Sequence, residues 1–281
     1  MVLKMKILKL KDKFIDILTK YHPKYKARQF YYGVSLYNQW NKKFIPSEDE
    51  MFLLKYFLKS NDIIFDIGAN EGSFSYFLST IITQGEIYSF EPQKKVFNIL
   101  RGSLKKIRNV QLYNIAISDH TGNSTIYVPI VKGHLSPCEA SLDPHFNDFS
   151  GYERIKKSDR YVSETINLMT LDYFCEKNEI NRVDFIKCDT EGHELEFLKG
   201  SEKCLSKFKP ILLIEVFPYV YEGHFEEVYN HLKKFKYIGY VISENKNDVC
   251  KLNEKNLRNS NGFNYFFVPK EKEMYFLNCF K

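Results

Sequence analysis

Carboxylic acids directly follow four short apolar runs of this 281-residue chain. The four acids are Asp66 after residues 63–65, Glu91 after 86–90, Asp189 after 183–188 and Glu215 after 211–214. A carboxylate can accept hydrogen bonds from hydroxyl groups, take up a proton or bind a cation. Because the carboxyl ends of parallel strands meet at one edge of a sheet, we expect these acids to surround a common ligand site.

The loop that starts at Asp66 indicates which ligand this site takes. Its small residues, within residues 66–73, allow a ligand to approach the backbone closely. The loop has neither the G-x-G-x-x-G pattern of NAD enzymes nor the Lys-Ser/Thr ending of a P-loop. Acids at both ends, Asp66 and Glu71, would repel a phosphate group, whereas Glu91 can accept hydrogen bonds from both hydroxyls of a ribose. A ribose, a positive charge and no phosphate together predict S-adenosylmethionine; helix capping is the alternative role of Asp66 and Glu91.

The spacing of the apolar runs predicts the elements that position these acids. Their end points are separated by 25, 25, 73 and 26 residues, at Asp66, Glu91, Ala116, Asp189 and Glu215. A strand, a helix and two loops need roughly 25–30 residues, so three of the intervals fit single strand–helix units. Helical periodicity in 73–82, 93–107 and 193–208 supports an α/β fold whose parallel sheet has helices on both faces.

The interval of 73 residues contains an insertion, which we place at residues 118–164. It opens with a predicted hairpin around residues 121–123 and continues through a stretch rich in turn-forming residues. Long irregular segments inside a compact domain are commonly lids or binding loops, and this one leaves from a strand end near the expected site. We therefore predict that it covers the acceptor side of the site; a disordered surface excursion is the alternative.

Several motifs, in the same order along residues 60–220, resemble those of the FkbM family of S-adenosylmethionine-dependent O-methyltransferases. They are Asp-Ile-Gly-Ala-Asn-Glu-Gly-Ser-Phe-Ser (66–75), Ser-Phe-Glu-Pro (89–92), Asn-Ile-Ala-Ile-Ser-Asp (114–119), Leu171-Asp172, Phe-Ile-Lys-Cys-Asp-Thr-Glu-Gly-His-Glu-Leu (185–195), Leu-Lys-Gly (198–200) and Leu-Ile-Glu (213–215). The resemblance implies a Rossmann-like class I methyltransferase fold, with six parallel strands and one antiparallel. Residues 237–243 and 263–269 fit its last two strands, since only a loop separates them.

The resemblance also implies which residues bind the cofactor and which take part in the transfer. The cofactor-binding candidates are Asp66, Gly68, Ala69, Asn70, Gly72, Phe74, Glu91, Pro92, Ala116 and Asp189. Candidates for the base that removes the acceptor proton are Asp189, Glu191, His193 and Glu215, although the family usually has a small residue at position 193. Asp189 and Glu215 could alternatively hold Mg²⁺, for which no third ligand is identifiable. In the insertion, His134, His145 and Arg154 are the acceptor-side candidates.

The basic charge of the chain belongs to its N-terminus. The formal net charge is +6, yet residues 1–30 alone carry nine basic and two acidic residues, so the remainder is nearly neutral and indicates no nucleic-acid-binding face. Apolar residues at helical spacing predict an amphipathic helix there: Leu3, Ile7, Leu10, Phe14, Ile17 and Tyr21. Such a helix could pack on its own domain, pair two subunits into a homodimer or lie on an anionic membrane. We divide the chain into an N-terminal helical extension (1–58) and a methyltransferase domain (59–281).

The function predicted from the sequence is methyl transfer to a hydroxyl of a sugar, nucleotide sugar or glycan. A lipid, peptide or polyketide hydroxyl is an alternative acceptor, and a nucleotide-dependent sugar oxidoreductase or epimerase is an alternative enzyme. A non-catalytic module that retains the cofactor fold is the third possibility. The six cysteines are scattered without a CxxC pair and no secretory signal precedes the domain, so we expect reduced thiols and a cytoplasmic protein.

Overall fold

The computed structural model describes residues 49–131, 134–135, 140–142, 161–217, 223–243, 247–253 and 263–281. The helices are α1 (Asp49–Phe57), α2 (Ser73–Ile81), α3 (Lys94–Leu104), α4 (Leu171–Lys177), α5 (Glu194–Lys199), α6 (Glu202–Lys207), α7 (His224–Lys234) and α8 (Glu273–Asn278), the last preceded by a 3₁₀ turn at Lys270–Lys272. The predicted amphipathic helix lies outside the described residues, and its three proposed roles stay predictions. Within the described residues, no helix is long and apolar enough to cross a bilayer.

The strands form one large and one small sheet. They are β1 (Ile63–Ile67), β2 (Glu86–Phe90), β3 (Val110–Tyr113), β4 (Ala116–Ile117), β5 (Gly122–Val131), β6 (His134–Leu135), β7 (Tyr161–Met169), β8 (Phe185–Cys188), β9 (Ile211–Glu215), β10 (Tyr237–Ile242), β11 (Val249–Lys251) and β12 (Asn264–Pro269). The large sheet has the order β11-β10-β12-β9-β8-β1-β2-β3. The strands that end at Asp66, Glu91, Asp189 and Glu215 in the sequence are therefore neighbours in space.

The direction of the strands confirms the predicted α/β fold. β3, β2, β1, β8 and β9 are parallel, and β12 runs antiparallel between β9 and β10. The sheet has eight strands rather than the expected seven, because the connection from β10 to β12 turns back and adds β11 to the edge. β11 pairs with backbone N–H and C=O groups of β10 that would otherwise lie unpaired at the edge of the sheet.

Alternating residues of the central strands build a core on each face of the large sheet. Phe65 and Ile186 pack with the side that carries α4, α5, α6 and α7. Ile64 and Phe185 face the opposite side, which carries α1, α2, α3 and α8. Burial on both faces explains why these strands read as continuous apolar runs in the sequence.

The helix predicted over residues 193–208 is wrong in one respect, since it is two helices, α5 and α6. The chain turns at Gly200, where an added Cβ would lie 1.9 Å from the carbonyl oxygen of Ser118. The carbonyl of Gly200 also accepts a hydrogen bond from the backbone N–H of Asp172 at 3.1 Å. Contact with two distant segments therefore breaks a helix that the local periodicity would continue.

The predicted insertion is built around a small sheet with the order β4-β7-β5-β6. β5 and β7 pair antiparallel from Gly122 opposite Leu168 to Pro129 opposite Tyr161. The hairpin expected around residues 121–123 is wrong, because β4 and β5 both pair with β7, which lies between them. Long-range pairing with β7 thus replaces the local pairing that the turn residues predicted.

Candidate functional site

A cleft lies at the carboxyl ends of β1, β2 and β8, with the small sheet as its opposite wall. Of the predicted site residues, those that line the cleft are Gly68, Asn70, Glu91, Pro92, Ala116, Asp189, Glu191 and His193. Ile126, Ala140, Leu142 and Ile166 give the wall from the small sheet an apolar surface. The structure therefore brings together residues that are more than 120 positions apart in the chain.

Glu91 is buried at the end of β2 and is held by the backbone on both sides. Its Oε2 accepts the N–H of Asn70 at 3.1 Å, and its Oε1 accepts the N–H of Gln93 at 2.9 Å. The amide of Asn114 donates to the carbonyl oxygens of Glu91 and Pro92 at 2.9 and 2.7 Å. Burial raises the pKa of the Glu91 carboxyl to about 7, although these two N–H groups favour its charged form.

The loop after β1 is shaped by its contact with the loop after β8. Gly68 has φ +76°, and an added Cβ would lie 1.7 Å from the carbonyl oxygen of Asp189. The N–H groups of Gly68 and Ala69 both donate to the carbonyl of Phe90. Gly68 is therefore required for the close approach of two protein loops, a reason that the sequence analysis assigned to the ligand instead.

Four residues of the first motif were expected at the cofactor but do not line the cleft: Asp66, Ala69, Gly72 and Phe74. The Asp66 side chain is fully buried under the sheet and accepts a hydrogen bond from Ser75, whose Oγ lies 2.7 Å from that of Ser89. Burial raises the pKa of Asp66, and the ammonium of Lys187 opposes this rise. Asp66 faces away from the cleft because alternate residues of a strand lie on opposite faces of the sheet. Ala69 and Phe74 are buried in the core on the side of α2, and a Cβ at Gly72 would meet the side chains of Leu100 and Leu104.

Asp189 follows β8 and presents a partly exposed carboxylate to the cleft. Its Oδ2 lies 3.0 Å from the Nζ of Lys187, whose side chain is buried. The described residues provide no hydrogen-bond donor to Oδ1. Asp189 thus presents to the cleft a carboxylate that is held through one of its two oxygens. The sequence analysis did not single out Lys187. Its position two residues before Asp189 was the one signal in the sequence that could have identified it.

The loop 189–193 is organised by Glu194, which the sequence analysis also missed. This fully buried side chain accepts hydrogen bonds at Oε1 from the backbone N–H groups of Thr190 and Gly192 and from the Thr190 hydroxyl, at 2.8 to 3.2 Å. Its Oε2 lies 3.1 Å from the Nε2 of the buried His224. Glu191 and Gly192 have φ values of +52° and +95°. Glu194 therefore holds this left-handed turn in place against α7.

His193 lines the cleft, but its two ring nitrogens face protein groups. Nε2 lies 2.9 Å from the Ser118 hydroxyl, and Nδ1 lies 3.6 Å from the Glu196 carboxylate. Burial lowers the pKa of His193, which favours the neutral imidazole at pH 7. The ring joins α5 to the strand end at Ser118, so its geometry favours Asp189 as the group available to a ligand.

The remaining candidates contribute less to this site. Glu215 ends β9 opposite Asn264 and does not line the cleft. The alternative Mg²⁺ site at Asp189 and Glu215 gains no support, since the described segments hold no cluster of three metal-ligating side chains and the Asp189 carboxylate contacts an ammonium. His134 pairs with Val131 through the backbone in β6, and His145 and Arg154 lie outside the described residues. The acceptor roles of these three stay predictions.

The comparisons with known proteins point in one direction. A family model described as the methyltransferase FkbM domain matches residues 66–242. The chain is 24% identical over 167 residues to 2-O-methyltransferase NoeI of Sinorhizobium fredii, covering 59% of this chain and 68% of that protein. It is 25% identical over 167 residues to hexuronic acid methyltransferase AglP of Haloferax volcanii, covering 59% and 61%. A crystal structure of methyltransferase FkbM from Methylobacillus flagellatus is 16% identical, with a TM-score of 0.48 over 75% of this chain and 44% of that one.

Proposed function

This chain belongs to the FkbM methyltransferase family, and we propose that it transfers a methyl group from S-adenosylmethionine to a hydroxyl of a carbohydrate acceptor. The observation that carries this proposal is the buried, backbone-held carboxylate of Glu91 at the end of β2. It faces the same cleft as Asp189, at the carboxyl ends of β2 and β8, the two strands that flank β1. Such an edge is where open α/β sheets bind their ligands.

The cleft suits each part of S-adenosylmethionine. Glu91 accepts hydrogen bonds from the two ribose hydroxyls, since a carboxylate with two backbone donors retains further lone pairs. The apolar side chains of Ile115, Ile117 and Ile166 provide a surface for the adenine ring. The loops that begin at Gly68 and Asp189 bring backbone groups and a carboxylate to the charged methionine part.

The chain's task in the transfer is to align the acceptor and to receive its proton. S-adenosylmethionine, when bound, supplies a methyl group on a positively charged sulfur, which makes that carbon electrophilic. Asp189 would take the hydroxyl proton through Oδ1 as the acceptor oxygen bonds to the methyl carbon; the carbon–sulfur bond would break at the same time and S-adenosylhomocysteine would leave. The Lys187 ammonium donates a hydrogen bond to Oδ2 and so orients the carboxylate for this role.

The carbohydrate acceptor is proposed from the relatives. One is named a 2-O-methyltransferase and another a hexuronic acid methyltransferase. A sugar hydroxyl fits the need for a base, because its proton is only weakly acidic. The match covers 61% of the length of the second relative. The acceptor named for that relative is therefore tested directly on this chain.

Two measurements test this proposal. Calorimetry with S-adenosylhomocysteine should show binding to the wild-type chain that Glu91→Ala abolishes and that Glu86→Ala, at the opposite end of β2, retains. A mass-spectrometric screen should then detect that the protein adds one methyl group to members of a panel of nucleotide sugars and uronic acid glycosides. Lipid, peptide and polyketide hydroxyls form the second panel. Absence of binding by the wild-type chain contradicts the proposed enzyme, and methylation of only the second panel contradicts the proposed acceptor.

A further inference from the structure

Lys187 is a buried cation directly behind the cleft. It lies on β8 opposite Asp66 of β1 in the parallel register, and its side chain is 6% exposed. An ammonium group loses its hydration shell at such a position, which is strongly unfavourable unless carboxylates and carbonyls replace the water. The neighbours of the Nζ atom therefore indicate what this lysine is for.

Oxygens from both sides of the cleft lie near the Nζ atom: from the end of β1 with the loop that follows it, and from the loop after β8. The nearest is Asp189 Oδ2 at 3.0 Å, followed by the carbonyl of Gly68 at 3.3 Å and Asp66 Oδ1 at 4.0 Å. The ring of Phe74 lies 5.4 Å away, on the side of α2. The contact with Asp189 has the length of a charge-assisted hydrogen bond, whereas the separation from Asp66 is that of an ion pair without one.

Building on the proposed function, we propose that Lys187 is the positioning residue that holds the Asp189 carboxylate turned toward the cleft. The ammonium engages Oδ2, and Oδ1 is left for the ligand. The same ammonium also donates a hydrogen bond to the Gly68 carbonyl, which fixes the loop after β1 relative to the Asp189 carboxylate. Lys187 itself does not line the cleft, so it acts on the reaction through Asp189.

A purely structural role is the competing interpretation. Asp66 is fully buried, and its Oδ1 has no hydrogen-bond donor within the described part of the chain, so Lys187 also balances that charge. Removing Lys187 alone would leave a buried carboxylate without its counter-ion and destabilise the fold. A variant that removes both buried charges separates the two roles, because no carboxylate then remains at the fully buried position 66 while the partly exposed Asp189 still lacks its partner.

The experiment compares Lys187→Met with the double variant Asp66→Asn/Lys187→Met, using Lys207→Met on the exposed face of α6 as the control. Calorimetry with S-adenosylhomocysteine measures affinity, and urea unfolding measures stability. We expect Lys187→Met to lower both. The double variant should regain stability but keep an affinity about tenfold below wild type, as for loss of one charge-assisted hydrogen bond. The control should match the wild type.

A spectroscopic measurement completes the test. The carboxyl-carbon NMR signal of Asp189, assigned with Asp189→Asn, should shift in the double variant because its ammonium partner is absent. A folded double variant that binds S-adenosylhomocysteine with wild-type affinity, or that leaves this signal unmoved, overturns the proposal. If the wild-type chain itself fails to bind, the proposed function is contradicted, and that result is distinct from any difference between the variants.

Discussion

The carboxylate of Glu91 accepts the backbone N–H of Asn70 at 3.1 Å, which ties the end of β2 to the loop after β1. The link is made by the protein's own backbone, so the acid proposed to bind the ribose is oriented by its neighbours in the fold. Preorganisation of this kind lowers the entropy that binding would otherwise cost. The same burial that orients the group also makes its charge unfavourable, and this conflict leads to a measurable pH dependence.

The first prediction concerns stability against pH. Burial raises the pKa of Glu91 from 4.5 to about 7. Between these values the unfolded chain has released the proton and the folded chain has kept it, so the free energy of unfolding falls as pH rises. Glu91→Gln removes this group. Urea unfolding at pH 5 and pH 7.5 should therefore show the variant gaining up to about 3 kcal/mol relative to wild type at the higher pH. Equal differences at both values would contradict the burial effect.

The second prediction tests the contact between the two cleft loops. Gly68→Ala places a Cβ 1.7 Å from the Asp189 carbonyl oxygen at a residue with φ +76°. Because the contacted atom belongs to the backbone, it cannot move aside as the end of a flexible side chain can. We expect the free energy of unfolding, measured in urea, to fall by about 2–5 kcal/mol. Gly122→Ala is the control, because its Cβ would meet only the His120 ring at 3.7 Å. Similar stabilities for the two variants would show that the loops separate freely.

The third prediction concerns the buried acid that organises the loop 189–193. Glu194→Ala removes the acceptor of three hydrogen bonds and the partner of His224. We expect it to cost about 3–5 kcal/mol, since it leaves several buried hydrogen-bond donors without an acceptor. Glu196→Ala, on the same helix but partly exposed, should cost less than about 1 kcal/mol. A Glu194→Ala variant as stable as Glu196→Ala would refute the organising role.

The fourth prediction separates two candidate bases. Once an acceptor is known, Asp189→Asn should lower kcat by about 10²–10⁴-fold, since the amide cannot take up the acceptor proton. His193→Gln should lower it by less than about tenfold, because both ring nitrogens already face Ser118 and Glu196. Single-turnover rates at saturating cofactor provide the comparison. The reverse order of effects would assign the proton transfer to His193.

Local strand patterns, together with the family resemblance for the last two strands, were sufficient to predict most of the large sheet. The strand expected over 86–90 is found as Glu86–Phe90, and the late pair found at 237–242 and 264–269 is antiparallel as expected. Predictions failed where a distant segment overrides a local pattern. Contact of Gly200 with the Ser118 carbonyl divides a periodic helix, and β7 replaces the partner that the turn at residues 121–123 predicted.

By itself, the sequence determined the family, the α/β architecture and the acids at the strand ends, because each depends on residue types at short, regular spacing. Only the tertiary structure decided which of those acids face the cleft. Glu91 and Asp189 do so, whereas Asp66 is buried against Ser75 and Lys187. The side of the sheet on which a side chain lies, and the charge that lies opposite it, depend on strand register between segments more than 100 residues apart.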